Sequence, residues 1–324
     1  MAENWQQQLV ERALARMRTR HSWNARLASW ERPPSPTEEA KIARAARMAT
    51  AIVKGNAWLK AEGAQVFPQG SYHNNTNVRL EADMDLRVQL PGVVVHYMPN
   101  ANRQVADARQ GYYATGRILA DVMALARAEL EKDLIAKFGA AGVDATGNKA
   151  IRVHGLDGSR ADCDIVPAFR LEVVTGGDDP FVIEGIAIMS KDGSSTWNFP
   201  DLHHYNGVQK RTATAHRFKR VVRMMKQLNY ELEWLGDVPQ KLPSFLVECL
   251  GYAVEDAYYL VSTDDAYDRL LRVLKRLQVL VGDTAWCAGA TEINGIKYLF
   301  HPKQAWTEER VRAWVAAAIQ RLEA

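Results

Sequence analysis

Residues 70–85 hold the densest group of side chains suited to chemistry. Gly70-Ser71 follows a short β-type run, Gln65–Phe67, and polar, turn-prone residues come next. A glycine there lets backbone N–H groups approach a phosphate closely, and the serine hydroxyl adds a donor. After eleven intervening residues comes Asp83-Met84-Asp85, at the start of a second β-type run. Strand side chains alternate, so both carboxylates lie on one face, with Leu86, Val88 and Leu90 supplying the apolar content behind them. Two ionised aspartates that close repel each other. A hard divalent cation such as Mg²⁺, which binds carboxylate and phosphate oxygens together, relieves that repulsion.

A second acidic run, Arg160-Ala-Asp-Cys-Asp-Ile-Val-Pro-Ala-Phe169, carries Asp162 and Asp164 on one face. Beside the first strand it would complete a two-metal site of the kind that stabilises both the attacking and the leaving oxygen of an in-line phosphoryl displacement. Periodicity does not separate Asp162 from Asp164. In the C-terminal half, His216, Lys219, Arg223 and Lys226 recur at three- and four-residue steps, opposite Phe218, Val221, Val222, Met225 and Leu228. A solvated basic face is the ordinary expectation for Lys219 and Arg220. Lys226 is set apart because a triphosphate needs a cation beyond the metal ions. Other motifs fail. Gly142–Lys149 lacks the Gly-Lys-Ser/Thr ending of a phosphate loop. His203-His204 has no zinc spacing and is expected in a polar loop before a helix. There is no Gly-x-Ser-x-Gly elbow.

The elements that must position these groups follow from periodicity and breakers. An Arg-rich helix is expected over 3–29, with Leu9, Ala13, Leu14 and Met17 at helical spacing, stopped by Pro33, Pro34 and Pro36. Ser35-Pro36-Thr37-Glu38 has the form of a capping box and opens a helix to about Lys60, ending at Gly63. Strands are expected at 64–68, 83–90, 92–97, 150–154, 160–169, 171–174 and 181–188. A helix is expected over 115–138, and the remainder after Pro200 reads as helices at 201–230, 243–256, 263–281 and 305–322. Trp58 and Trp234 sit among apolar helical neighbours and are expected in the core. These elements predict an α+β chain, divided at about residue 195 into a mixed α/β part (1–195) and a helical part (196–324).

The composition excludes the fibrous, mucin-like and disordered classes: of 324 residues, 47% are apolar and 24% charged. The net charge of +3 calls for no polyanion or membrane surface, so anion binding must come from local clustering. Cys163, Cys249 and Cys287 form no C-x-x-C and no even framework. No signal-peptide pattern opens the chain and no apolar stretch is long enough to span a bilayer, so a cytoplasmic location with no membrane partner is expected.

Gly-Ser, an Asp-x-Asp after eleven intervening residues, and a later strand ending Asp164-Ile-Val-Pro167 resemble the signature of the polymerase-β-like nucleotidyltransferase superfamily. More narrowly, the chain resembles the bacterial CD-NTases, relatives of the cyclic GMP-AMP and oligoadenylate synthases. The stretches that carry this are Pro33–Lys41, Phe67–Arg79, Asn148–Ile151, Ala161–Ala168, Trp197–Pro200, His204–Gly207, Phe218–Lys226 and Pro243–Glu248. The resemblance implies a nucleotidyltransferase core with a mixed sheet, a long N-terminal helix and a C-terminal helical-bundle lobe, with the active site in the cleft between lobes. It implies that Asp83, Asp85 and Asp164 bind two Mg²⁺ ions, with Mn²⁺ as a substitute, and that Asp164 assists deprotonation of the attacking hydroxyl. It also implies that Gly70 and Ser71 form the phosphate-binding turn, and that Lys226 and Ser244 hold the triphosphate tail. Arg87 departs from the pattern and is expected to point outward, with little effect on the metals. The implied activity is synthesis of an adenine-containing cyclic di- or trinucleotide from NTPs, ATP among them, in antiphage (CBASS) signalling. A HORMA-like regulatory partner and a downstream effector are implied with it; a nucleic-acid activator is compatible but not indicated. The rival readings are a transferase acting on RNA ends or another hydroxyl, a catalytically silent nucleotide or RNA sensor, and a helical scaffold.

Overall fold

The computed structural model describes residues 14, 17, 19–78, 83–261 and 265–324. Residue contacts divide the chain into two compact units. One comprises Pro34–Asn74 and Arg79–Asp201; the other comprises Met1–Pro33, Asn75–Val78 and Leu202–Ala324. The N-terminal segment therefore groups with the helical part, whereas the reading from sequence kept it with residues 1–195.

The α/β unit is built on seven strands: β1 (Gln65–Gln69), β2 (Met84–Tyr97), β3 (Val143–Asp144), β4 (Ile151–Val153), β5 (Cys163–Thr175), β6 (Phe181–Met189) and β7 (Ser195–Asn198). The order is β1-β2-β5-β4-β3. β2 and β5 run parallel, and every other pairing is antiparallel. On its edge away from β2, β5 pairs first with β4 and then, from Phe169 onward, with β6, which in turn pairs with β7. The two strands expected at 83–90 and 92–97 are one strand. Pro91, which has no N–H to donate, and Gly92 fall where the β2–β5 register shifts. The 160–169 and 171–174 runs are likewise one strand.

Helices α2 (Pro36–Gly55) and α6 (Leu119–Phe138) cover one face of this sheet, with the short α3 (Ala57–Ala61) between them in the chain. Ile42, Ala45, Ala49 and Val53 of α2 and Met123, Ala126, Leu130 and Leu134 of α6 pack with Met84, Leu86, Val88 and Leu90 of β2 and Cys163 and Ile165 of β5. The period of two then forces the intervening residues, Asp85, Arg87 and Asp164, onto the opposite face. The capping box forms as expected. Ser35 Oγ accepts from the Glu38 N–H, and the Glu38 carboxylate accepts from the Ser35 N–H at 2.6 Å. α2 stops at Asn56 rather than at Gly63, because the Asn56 side chain accepts from the Leu59 N–H and starts α3. Two further short helices were not anticipated from periodicity: α4 (Gly70–His73) and α5 (Arg103–Gln110).

In the helical unit, residues 19–30 form α1, followed by α7 (Pro200–Ala213), most of which belongs here, α8 (Arg217–Leu235), α9 (Ser244–Ala253), α10 (Ala266–Gly282), α11 (Thr284–Gly289) and α12 (Glu308–Glu323). The continuous helix expected over 201–230 is broken where Ala215 and His216 take positive φ, separating α7 from α8. Trp23 and Leu27 of α1 join a core with Phe218, Val222, Leu228, Leu250, Leu274 and Trp314. Leu9 and Ala13 lie outside the described residues, and Leu14 and Met17 are exposed. Trp58 is partly buried against the sheet core, as anticipated, but Trp234 is 84% exposed, contrary to the core assignment.

Leu130 is fully buried between α6 and the sheet. Leu130→Ala is expected to cost about 2–5 kcal/mol of unfolding free energy, measured by urea denaturation.

Candidate active site

The parallel register of β2 and β5 pairs Asp85 with Asp164, and the antiparallel register of β1 and β2 pairs Gln69 with Asp85. β4 pairs Arg152 with Asp164. One row across the solvent-side face therefore reads Gln69, Asp85, Asp164, Arg152, with Asp83 just before β2. Gly70 closes onto this row. With φ of +70°, it opens α4, and a Cβ built on it would lie 1.9 Å from Asp85 Oδ2. Only glycine leaves room for that carboxylate while adopting this backbone. Ser71 follows as the second residue of α4.

Arg152 forms a fork with Asp164, Nε to Oδ1 at 2.8 Å and Nη2 to Oδ2 at 3.2 Å, and Nη2 lies 3.9 Å from Asp83 Oδ2. The segment leading into β4 is held by Arg127 of α6. Its guanidinium donates to the carbonyls of Ala145, Gly147, Lys149 and Ala150. Asp162 is directed elsewhere: its Oδ1 accepts from the Gly155 N–H at 2.9 Å. The crowding of acids is felt beneath the row. Burial, and then the charges of Asp164, Asp85, Asp83 and Asp162, push the Cys163 thiol up to about 12. The Asp164 fork, together with the charges of Asp164, Asp162 and Asp83, raises Arg152 further above its usual value.

The donor set suits a hard divalent cation. It consists of carboxylate oxygens only, two of them from residues at paired register positions, beside a glycine whose missing Cβ leaves the cradle open. Among the described residues, no three His, Cys, Asp or Glu side chains are gathered tightly enough to cage an ion. Arg152 holds Asp164 instead.

Arg87 corrects an expectation. It is 4% exposed rather than outward-facing; its guanidinium lies over the Phe67 ring and donates to Asp201 at 2.8 Å. It shares the face of Asp83 and Asp85, one alternation further along β2.

Within the helical unit, Lys219, Arg223 and Lys226 do lie on one stripe of α8, but all three are buried, so the solvated basic face expected for Lys219 is not found; Arg220 remains exposed. Arg223 donates to the carbonyls of Glu31 and Asn75, each at 2.7 Å, and burial pulls it down to about 10. Lys226 is 1% exposed, with Nζ 3.8 Å from Glu248 Oε2. Ser244 opens α9, four residues before Glu248. His203 is not in a loop: it is buried in α7, with Nε2 3.1 Å from Glu248 Oε1. Thr76 Oγ1 donates to Glu248 Oε2 at 2.8 Å. Burial opposes ionisation of Glu248, but the hydrogen bond and charge of His203, the charge of Lys226 and the Thr76 hydroxyl outweigh it and hold the carboxyl at about 2.

The strands thus bring Asp83, Asp85, Asp164 and Gly70 together, with Ser71 next in the chain; Lys226 and Ser244 belong to the helical unit. Sequence reasoning missed Arg152 and Glu248. Arg152 alternates with apolar Ile151 and Val153, a signal for a strand residue facing away from the core. Nothing local distinguishes Glu248 from a surface glutamate of an amphipathic helix.

Two outcomes follow. Gly70→Ala is expected to cost about 1–3 kcal/mol through the positive φ and to displace the Asp85 carboxylate, read by thermal denaturation together with activity. The folded carboxyl of Glu248 sits below its ordinary value, so its stabilisation is complete above pH about 4.5 and is lost as pH falls toward 2. Glu248→Gln should be less stable at neutral pH and should show a shallower loss of stability across that acid range in pH-resolved denaturation.

Residues 205–323 match the family described as the cGAS/DncV-like nucleotidyltransferase C-terminal helical domain. Over 301 residues the chain is 34% identical to the cyclic dipyrimidine nucleotide synthase CdnE of Legionella pneumophila, covering 91% of this chain and 96% of that one. The structure of Elizabethkingia meningoseptica CdnE cyclic dinucleotide synthase with GTP and Apcpp superposes with a TM-score of 0.71 at 27% identity, covering 92% and 98%. The Rhodothermus marinus CdnE c-UMP-AMP synthase with Apcpp and Upnpp gives 0.72 at 25%, covering 91% and 94%.

Proposed function

The chain belongs to the cGAS/DncV-like nucleotidyltransferases, a family of cyclic nucleotide synthases, and from that premise we propose that Asp83, Asp85 and Asp164 are its catalytic carboxylates. The reaction joins nucleoside triphosphates: a ribose hydroxyl of one attacks the α-phosphorus of another, pyrophosphate leaves, and a second round on the linear product closes the ring. The observation that carries the residue assignment is the β2–β5 register, which sets Asp85 beside Asp164 across a parallel pair, with Asp83 one alternation upstream.

Mg²⁺ is the cation these three carboxylates would hold, and when bound it supplies neutralisation of the phosphate charge. The chain's own groups do the rest. Gly70 gives the backbone close approach to the phosphates, and Ser71 adds a hydroxyl donor. Asp164 is the carboxylate assigned to accept the proton of the attacking hydroxyl. Lys226 and Ser244 are assigned to the triphosphate tail through the family resemblance. Because the transfer needs little covalent help, rate comes from positioning and charge.

An adenine-containing product is the reading for base choice. The names of the relatives span dipyrimidine, dipurine and UMP–AMP products, so product mass from four labelled NTPs decides it. Regulation by a HORMA-like partner and signalling to an effector in antiphage defence follow from the resemblance.

Asp83→Asn combined with Asp85→Asn is expected to remove cyclic product and pyrophosphate release, at least 10³-fold by order of magnitude, with the melting temperature preserved. Near-wild-type NTP consumption by that variant would refute the assignment.

A further inference from the structure

The site's carboxylates already have a cation, and it is supplied by the chain. Arg152 uses two guanidinium nitrogens on both oxygens of Asp164, at 2.8 and 3.2 Å, and reaches within 3.9 Å of Asp83 Oδ2. One side chain thus meets two of the three proposed catalytic carboxylates. Strand pairing fixes its place: Arg152 sits directly across from Asp164 in the β4–β5 ladder, and the backbone before it is tied down by Arg127 through four carbonyls. A guanidinium stays charged across the working pH range, so this pair is released by exchange with another cation and not by losing a proton.

We propose that Arg152 is a resident counter-cation of the acidic row, a positioning residue that holds Asp164 and whose charge opposes the loading of divalent cations. The inference rests on the carboxylate assignment made above. Two physical points carry it. Each Asp164 oxygen keeps a lone pair beside its bond to the fork, but a divalent cation arriving there meets the positive charge of the guanidinium 2.8–3.2 Å from the same oxygens. Arg152 also offsets the repulsion between Asp164 and Asp85, which stand side by side in the ladder. Arg152 therefore stabilises the empty row and raises the cation concentration at which it fills. Its side chain is 44% exposed, so it can swing into solvent without unpacking the sheet core.

The test uses the full chain and Mn²⁺ alone at fixed pH and ionic strength, by isothermal titration and by melting temperature with and without the ion. Arg152→Gln is expected to bind Mn²⁺ about three- to tenfold more tightly than the native chain, a change the size of one partly exposed charge interaction. Its metal-free melting temperature should fall, and the Mn²⁺-induced rise should grow. Arg152→Lys keeps the charge but loses the fork, and its affinity should fall between the two; this variant also serves if Arg152→Gln does not fold. Unchanged or weaker Mn²⁺ binding by Arg152→Gln, or by Arg152→Lys in its place, overturns the inference while leaving the carboxylate assignment intact. Asp85→Asn separates the two ideas. If it binds Mn²⁺ as well as the native chain does, the carboxylate assignment fails, and the role of Arg152 fails with it.

Discussion

Like charges held on one hydrogen-bonded row constrain everything else in the α/β unit. A parallel ladder sets side chains of equal register side by side, so once β2 and β5 pair, Asp85 and Asp164 cannot avoid each other. Sliding β5 by one residue would separate them, but it would also turn Cys163 and Ile165 out of the core and Asp164 into it. The apolar burial beneath the sheet therefore enforces the acidic proximity above it. The same alternation that makes the core makes the site.

That coupling explains what could be read from residues alone. Gly70, Asp83 and Asp85 were legible because their spacing sits on a strand whose apolar residues declare its period. Periodicity did not separate Asp162 from Asp164, since both obey one period; the Asp164-Ile-Val-Pro167 resemblance favoured Asp164, and the ladder sets it beside Asp85 while Asp162 accepts from the Gly155 N–H. Arg152 was illegible for the same reason. Its importance lies in which residue stands across from it, and pairing register is a long-range property that a single strand does not encode. Arg87 was misjudged because nothing in its own segment shows that Phe67 lies beside it and Asp201 within reach.

The helical unit shows the opposite limit. The stripe of cations on α8 was found correctly, but its surroundings were not. Helical periodicity predicts which residues share a face; whether that face meets water depends on what packs against it. Here His203 on α7, Lys226 on α8 and the Thr76 hydroxyl surround the Glu248 carboxylate of α9 and keep it ionised. A charged group buried this deeply persists because it is fully partnered, and its partners come from three separate stretches of chain. The positive-φ pair Ala215 and His216 is a comparable case: two ordinary residues end one helix and start another where a pattern of side chains suggested no break.

The sulfur of Cys163 lies on the core side of β5, beneath the acids, and burial first and then their charges hold its proton on. A thiol in that state is a poor nucleophile and a poor soft-metal ligand. The row above it thus presents oxygen alone to an arriving ion, with no sulfur to favour thiophilic metals. With Cys163 only 1% exposed, alkylating agents and mild oxidants are expected to reach it poorly beside these carboxylates.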